Sequence, residues 1–216
     1  AVLFLDLDRF KVINDSLGHS LGDQILKILA GKLSALIQEP KMLSRQGGDE
    51  FLVVAPKVAS LRDLSALADS IIHTIAEELI ADERKLTVTA SMGVAVYPHD
   101  GQTLDELIRC AENALYQAKI RGGNTYCFFT QEMDAEARAK MEMEILLRDA
   151  AGNGELQVVY QPKISSIDGH IVGAEALIRW NNPVLGNVSP VRFIPLAEET
   201  GLINQIGEWV LHQVCG

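Results

Sequence analysis

Cysteine is scarce in this chain. Its three cysteines, Cys110, Cys127 and Cys215, have no CxxC spacing. That excludes a disulfide framework and a zinc-ribbon site, and it predicts free, mostly buried thiols in a reducing, cytoplasmic setting. No apolar run approaches the ~18 to 20 residues that span a bilayer. Nor does a charged segment lead into a short apolar one at the start, so no signal peptide is read. Low-complexity and long polar runs are missing too, while 48% of residues are apolar, which predicts packed globular cores. Basic residues are outnumbered, 19 Lys and Arg against 29 Asp and Glu, for a net charge of −10. No nucleic-acid partner is expected, because a phosphate backbone needs a basic face. A nucleotide substrate stays open, since it needs only a local site. Membrane attachment of a longer parent protein is not read from these residues.

The pattern that is present alternates strands and helices. Ala1 to Leu5 is continuously apolar and ends at Asp6, as a strand buried on both faces would; a chain opening directly on a strand is expected to lack preceding elements. Gly22 to Ile37 has helical spacing, with Pro40 at its exit. Met42 to Gln46, Gly47-Gly48-Asp49-Glu50 and Phe51 to Ala55 predict strand, tight turn and strand. A helix is expected over Leu61 to Leu79, one strand over Lys85 to Tyr97, a helix from Thr103 to about Ile120, and a strand over Thr125 to Phe129. This order predicts an α/β sandwich around one mixed sheet. Gln131 to Ala151 is charged and helical, with a thin apolar seam at Met141, Ile145 and Leu146. Leu156 to Tyr160 and Ile171 to Trp180 predict a strand pair, followed by helices near Val191 to Glu199 and Ile203 to Val214. The division expected is 1–130, a connecting helix at 131–153, and a second, incomplete domain at 154–216.

Two clusters carry chemistry. The first runs Asp6-Leu7-Asp8-Arg9-Phe10-Lys11, through Asn14-Asp15, to Gly18-His19 and Gly22-Asp23. Carboxylates at the end of a buried strand sit where open α/β sheets bind ligands, and they suit Mg²⁺, an ion usually shared with substrate phosphates; capping of the next helix is the bland alternative. The second is Gly47-Gly48-Asp49-Glu50-Phe51. Its glycines let the backbone approach an anion, and its acids would repel that anion without a divalent cation. A solvated hairpin is the alternative there.

Taken together the clusters are specific. Asp-Leu-Asp-x-Phe-Lys-x-x-Asn-Asp-x-x-Gly-His-x-x-Gly-Asp, then Arg-x-Gly-Gly-Asp-Glu-Phe, then Ser-Met-Gly-Val-Ala at Ser91 to Ala95, then Ala-x-x-Ala-Leu-Tyr-x-Ala-Lys at Ala111 to Lys119, closely resemble the GGDEF family of diguanylate cyclases across Ala1 to Phe129. The resemblance implies a palm-like α+β nucleotide cyclase fold binding GTP with Mg²⁺ (Mn²⁺ the alternative ion), active as a homodimer. It implies Asp6, Asp49 and the Leu7 carbonyl as metal ligands. Glu50 would accept the 3′-hydroxyl proton beside Asp49. Asn14 and Asp23, with His19 nearby, would read guanine, Gly47 and Gly48 would line the substrate, and Lys11 and Lys119 would neutralise phosphates. Two departures stand out. Gly123 occupies a position that is often basic in the family, and Gln38 to Lys41 replace its Arg-x-x-Asp product-inhibition site, which is expected to be absent.

From Leu156 onward, Val-Val-Tyr-Gln-Pro-Lys, Gly-Ala-Glu-Ala-Leu-Ile-Arg-Trp and Phe-Ile-Pro-Leu-Ala-Glu-Glu-Thr-Gly-Leu-Ile resemble the opening of an EAL-type cyclic-di-GMP phosphodiesterase, whose fold is a TIM-like barrel. The resemblance implies that Glu175 is a metal ligand and that Arg179 and Gln161 contact the phosphates of cyclic di-GMP. A complete barrel needs roughly 200 or more residues, so a truncated, inactive and poorly stable part is expected, with apolar faces exposed at Val158, Ile171 and Leu177. Two functions remain open: an active cyclase, or a GTP-binding regulatory domain that controls a phosphodiesterase.

Overall fold

The computed structural model describes residues 1–215, which form two compact units, 1–135 and 136–215. In the first, a five-stranded sheet has the order β2-β3-β1-β6-β7. Its strands are β1 (Val2–Leu7), β2 (Met42–Gly47), β3 (Glu50–Val54), β6 (Ala90–Ala95) and β7 (Tyr126–Phe128). All neighbours are antiparallel except the parallel pair β6 and β7. The sheet is mixed, as expected.

Strand periodicity sorts its residues onto two faces. Leu3, Leu5, Leu7, Phe51, Val53, Met92 and Val94 join one core with α2 (His19–Leu36) and α3 (Leu61–Ala76), through Ile25, Leu29, Leu33, Leu64 and Ile71. Val2, Phe4, Leu52 and Ala95 pack the other way, with Leu107, Cys110, Ala111 and Leu115 of α4 (Leu104–Ile120). Thr103 and Glu106 close a capping box at the start of α4, satisfying two otherwise orphaned donors. The alternation that buries Phe4 and Leu52 under α4 also turns Asp6 and Glu50 to that face. There they stand directly opposite each other in the β1–β3 register.

Three expectations for this unit need correction. A helix, α1 (Phe10–Leu17), fills the stretch between the first cluster's aspartates and Gly18. The helix expected to reach Leu79 ends at Ala76, and the single strand expected over Lys85 to Tyr97 is split. A hairpin intervenes, β4 (Leu79–Ala81) with β5 (Arg84–Leu86). Its two-residue turn, Asp82-Glu83, has positive φ at both positions (50° and 60°), as hairpins of this length require. Without a glycine that turn carries no strong sequence signal.

The second unit contains the C-terminal part of α5 (Gln131–Asp149), a sheet ordered β10-β9-β8, and helices α6 (Pro190–Thr200) and α7 (Ile203–Cys215). The strands are β8 (Leu156–Ile164), β9 (Ile171–Asn182) and the unexpected short β10 (Gly186–Val188). Its core gathers Met143, Leu147, Ala150, Leu156, Trp180, Phe193 and Leu196, with Trp180 and Phe193 meeting edge to face at 5.6 Å. On α5 the residues buried in this core are Met143 and Leu147, with Ala150 just beyond the helix, and Leu146 of the expected seam packs against the core. Met141 and Ile145 are exposed. Val158 and Leu177 are half-buried, and only Ile171 of the three expected apolar edges is fully exposed.

Candidate functional site

The acidic end of the sheet forms around β1. Asp6 lies on β1 between Glu50 of β3 and Ser91 of β6. The Lys119 ammonium, one residue before the end of α4, reaches back to Asp6 Oδ1 at 2.7 Å. Burial pushes the Asp6 carboxyl above the ordinary aspartate value. Lys119 opposes that shift, while Asp49 and Asp8 reinforce it. Glu50 is also raised, by burial first and then by repulsion from Asp6, Asp49 and Glu112. The cluster is thus rich in carboxylates and served by one lysine, a state that a divalent cation would relieve. Among the described residues no three His, Cys, Asp or Glu side chains are disposed to hold an ion. Clustered carboxylate oxygens are hard donors of the kind that fit Mg²⁺.

Beside this cluster a cleft of about 370 Å³ is lined by Lys11, Asn14, His19, Asp23, Arg45, Gly48 and Asp49, among others. Residues from α1, α2 and the β2–β3 turn, far apart in sequence, meet there. Asn14 Oδ1 is the one buried side-chain polar atom among the described residues with no hydrogen-bond partner. It lies over Gly22, where a Cβ would come within 1.9 Å of it. Gly22 is therefore the gap that seats Asn14.

Two contributors escaped the sequence reading. Arg45 donates from Nε and Nη2 to the Gly48 carbonyl at 3.0 and 2.6 Å, bracing the turn where Gly48 takes φ 51°. Its signal was the arginine two residues before the paired glycines. Asp8 carries no role in the sequence beyond its place in the first acidic cluster. Its carboxylate accepts from Thr89 Oγ1, Ser91 Oγ and the Asn124 amide at 2.7, 2.6 and 2.9 Å.

In the second unit, β8 and β9 pair with Gln161 opposite Glu175 and Gln157 opposite Arg179. The pleat puts Gln161, Glu175 and Arg179 on the face opposite Leu156 and Trp180, which belong to the core. Lys163 Nζ lies 3.8 Å from Glu175, and Arg179 donates to the Ile178 carbonyl.

Comparison with known proteins identifies the family. The family model for the diguanylate cyclase GGDEF domain matches residues 1–125. The chain belongs to the GGDEF family. An EAL domain model matches residues 146–216. MucR of Pseudomonas aeruginosa, named as a bifunctional diguanylate cyclase/cyclic di-GMP phosphodiesterase, is 42% identical over 215 residues, covering 100% of this chain and 31% of the relative. NbdA of the same organism, named as a cyclic di-GMP phosphodiesterase, is 40% identical, covering 100% of this chain and 27% of the relative. The chain thus spans less than a third of these two relatives. The solved GGDEF domain of YfiN (TpbB) from P. aeruginosa superposes with a TM-score of 0.61 at 33% identity, covering 63% of this chain and 80% of that one. The GGDEF domain of DgcB from Caulobacter crescentus, solved with cyclic di-GMP, gives 0.54 at 26% identity, covering 59% and 75%. The GGDEF and EAL segments together place the chain in cyclic-di-GMP signalling. No helix among the described residues is long and apolar enough to cross a membrane.

Proposed function

We propose that the GGDEF unit binds GTP and, as a homodimer, condenses two GTP into cyclic di-GMP with release of pyrophosphate. The observation that carries this reading is the single cleft joining Asn14, His19 and Asp23 to Gly48 and Asp49. Guanine N1–H and N2–H₂ are donors that call for acceptors, and Asp23 and Asn14 supply them. Lys11, on the cleft wall, and Lys119 face the phosphates. Asp6, Asp49 and the Leu7 carbonyl would hold Mg²⁺ or Mn²⁺, whose chemistry is to neutralise charge on the reacting phosphate. Glu50, held above the ordinary glutamate value beside Asp6, takes the proton of the attacking 3′-hydroxyl.

We divide the chain at 1–130, 131–153 and 154–216, with Glu175 a metal ligand and Gln161 and Arg179 phosphate contacts of the EAL part. A cytoplasmic setting fits the free cysteines. The test is incubation of the chain, and of its full-length parent, with GTP and Mg²⁺ followed by product identification. Cyclic di-GMP and pyrophosphate are expected, and ATP should be a poor substitute. GTP binding without turnover would favour the second reading, a regulatory GGDEF domain. That reading draws support from Gly123, which offers no cation where the family often has one. Comparable binding of ATP and GTP would overturn both.

A further inference from the structure

Asp8 is two residues beyond Asp6, just past the end of β1, and its carboxylate is taken up by the fold. Oδ1 accepts from Ser91 Oγ at 2.6 Å, and Oδ2 accepts both Thr89 Oγ1 at 2.7 Å and the Asn124 amide at 2.9 Å. The Asp8 amide in turn donates to the Thr89 carbonyl at 2.8 Å. A carboxylate holding three donors at these distances is already engaged.

What it ties together is specific. Thr89 and Ser91 flank the start of β6, and Asn124 belongs to the turn that follows α4. Gly123, in that turn, has φ 74°, and a Cβ there would stand 3.0 to 3.1 Å from the three atoms of the Asp8 carboxylate group. The turn is therefore seated closely on Asp8, and a side chain at position 123 would press the carboxylate aside by a few tenths of an ångström. The turn also ends the helix that carries Lys119, through Gly123 N donating to the Ala118 carbonyl at 3.2 Å and Gly122 N to the Lys119 carbonyl at 3.1 Å. Lys119 then reaches Asp6 at 2.7 Å. One connected path runs from Asp8 to the turn, to the last turn of α4, to Lys119, and back to Asp6.

We propose that Asp8 is a positioning residue: by clamping the 122–124 turn it sets where the Lys119 ammonium stands relative to Asp6 and incoming phosphate. This deepens the cyclase reading and rests on it. Its hydrogen-bonding function does not require charge. A carboxamide at position 8, with Nδ2 toward the Ser91 hydroxyl and Oδ1 toward Thr89 and Asn124, reproduces the clamp. A metal ligand would not tolerate that exchange, and this separates the two roles.

The experiment compares Asp8→Asn, Asp8→Ala, Lys119→Ala and the Asp8→Ala/Lys119→Ala pair in the full chain, reading kcat and KM for GTP and amide hydrogen exchange over residues 122–124. Asp8→Ala should raise the KM for GTP roughly tenfold and speed exchange in that turn, with Asp8→Asn within about threefold of the parent in both. In the Lys119→Ala background Asp8→Ala should add little further loss, since residues acting through one group are strongly non-additive. Damage from Asp8→Asn equal to that from Asp8→Ala would overturn the proposal and assign Asp8 a direct, charge-dependent role. Full additivity with Lys119→Ala would overturn it as well. Should the parent chain neither bind nor turn over GTP, the cyclase reading fails, while exchange at 122–124 still decides whether Asp8 is the clamp. Unaltered exchange in Asp8→Ala would end the proposal whatever the activity.

Discussion

Lys119 and Asp6 form an ion pair of 2.7 Å between the end of α4 and the end of β1, so the carboxylate expected to hold a metal already has a cationic partner. The two cations compete for one carboxylate. Replacing Lys119 with Met should therefore tighten Mn²⁺ binding to the nucleotide-free chain by about three- to tenfold, by removing a nearby positive charge. The same variant should weaken GTP binding by roughly tenfold, through loss of a charge-assisted phosphate contact. Calorimetric titration of each ligand reads both effects. Unchanged Mn²⁺ affinity would mean that Asp6 is not where the ion binds.

Gly22 and Asn14 make a second test. A Cβ on Gly22 would fall 1.9 Å from Asn14 Oδ1, but that atom ends a flexible side chain and can swing away. Gly22→Ala should keep the fold, helped by about 1 kcal/mol of helix propensity, and should lower discrimination of GTP over ATP at least ~10-fold. Thermal melting beside competitive binding of the two nucleotides checks it. Undiminished discrimination would remove Asn14 from the guanine site.

Gly93 behaves differently. Its Cβ would meet the Ala111 carbonyl oxygen at 1.8 Å and the Leu115 nitrogen at 2.3 Å. Both are backbone atoms of α4, so helix and sheet would have to separate. Gly93→Ala should cost about 3 kcal/mol or more and carry Lys119 away from Asp6. Urea denaturation followed by circular dichroism measures this, and a loss below about 1 kcal/mol would refute the close approach of α4 to β6.

Glu155 supplies a pH dependence in the second unit. It accepts from Trp180 Nε1 at 2.9 Å and Asn182 Nδ2 at 2.8 Å, and these bonds hold its carboxyl below the ordinary value of 4.5. A carboxylate favoured in the folded state contributes fully above the ordinary value, and that contribution is lost as pH falls through the depressed folded one. Both tryptophans, Trp180 and Trp209, lie in this unit, so their fluorescence follows it alone. Urea midpoints read this way should drop between pH 5 and pH 3 by an amount worth roughly 1 kcal/mol. That slope should flatten in Glu155→Gln, and a slope left intact would place the titration elsewhere.

Much of this was legible in the chain itself. The apolar run through Leu5, the paired glycines at 47–48 and the helical row beneath Thr103 are local patterns, and each became the element it announced. That Asp6 and Glu50 share one face could not be read locally, because it follows from the β1–β3 register. Other features depended on contacts that only folding creates. The Asp82-Glu83 turn lacks a glycine, so its positive φ values follow from pairing β4 with β5. On α5 the row expected at Met141, Ile145 and Leu146 gave way to Met143 and Leu147, which join the core that holds Trp180, with only Leu146 of the expected row packed against it. In the sequence Asp8 is one more carboxylate of the strand-end cluster, with capping of the next helix as the alternative, since nothing local reveals a clamp. Its three donors come from residues 81, 83 and 116 positions away. The tertiary fold brings them together, and their hydrogen bonds occupy most of the acceptor sites of the carboxylate.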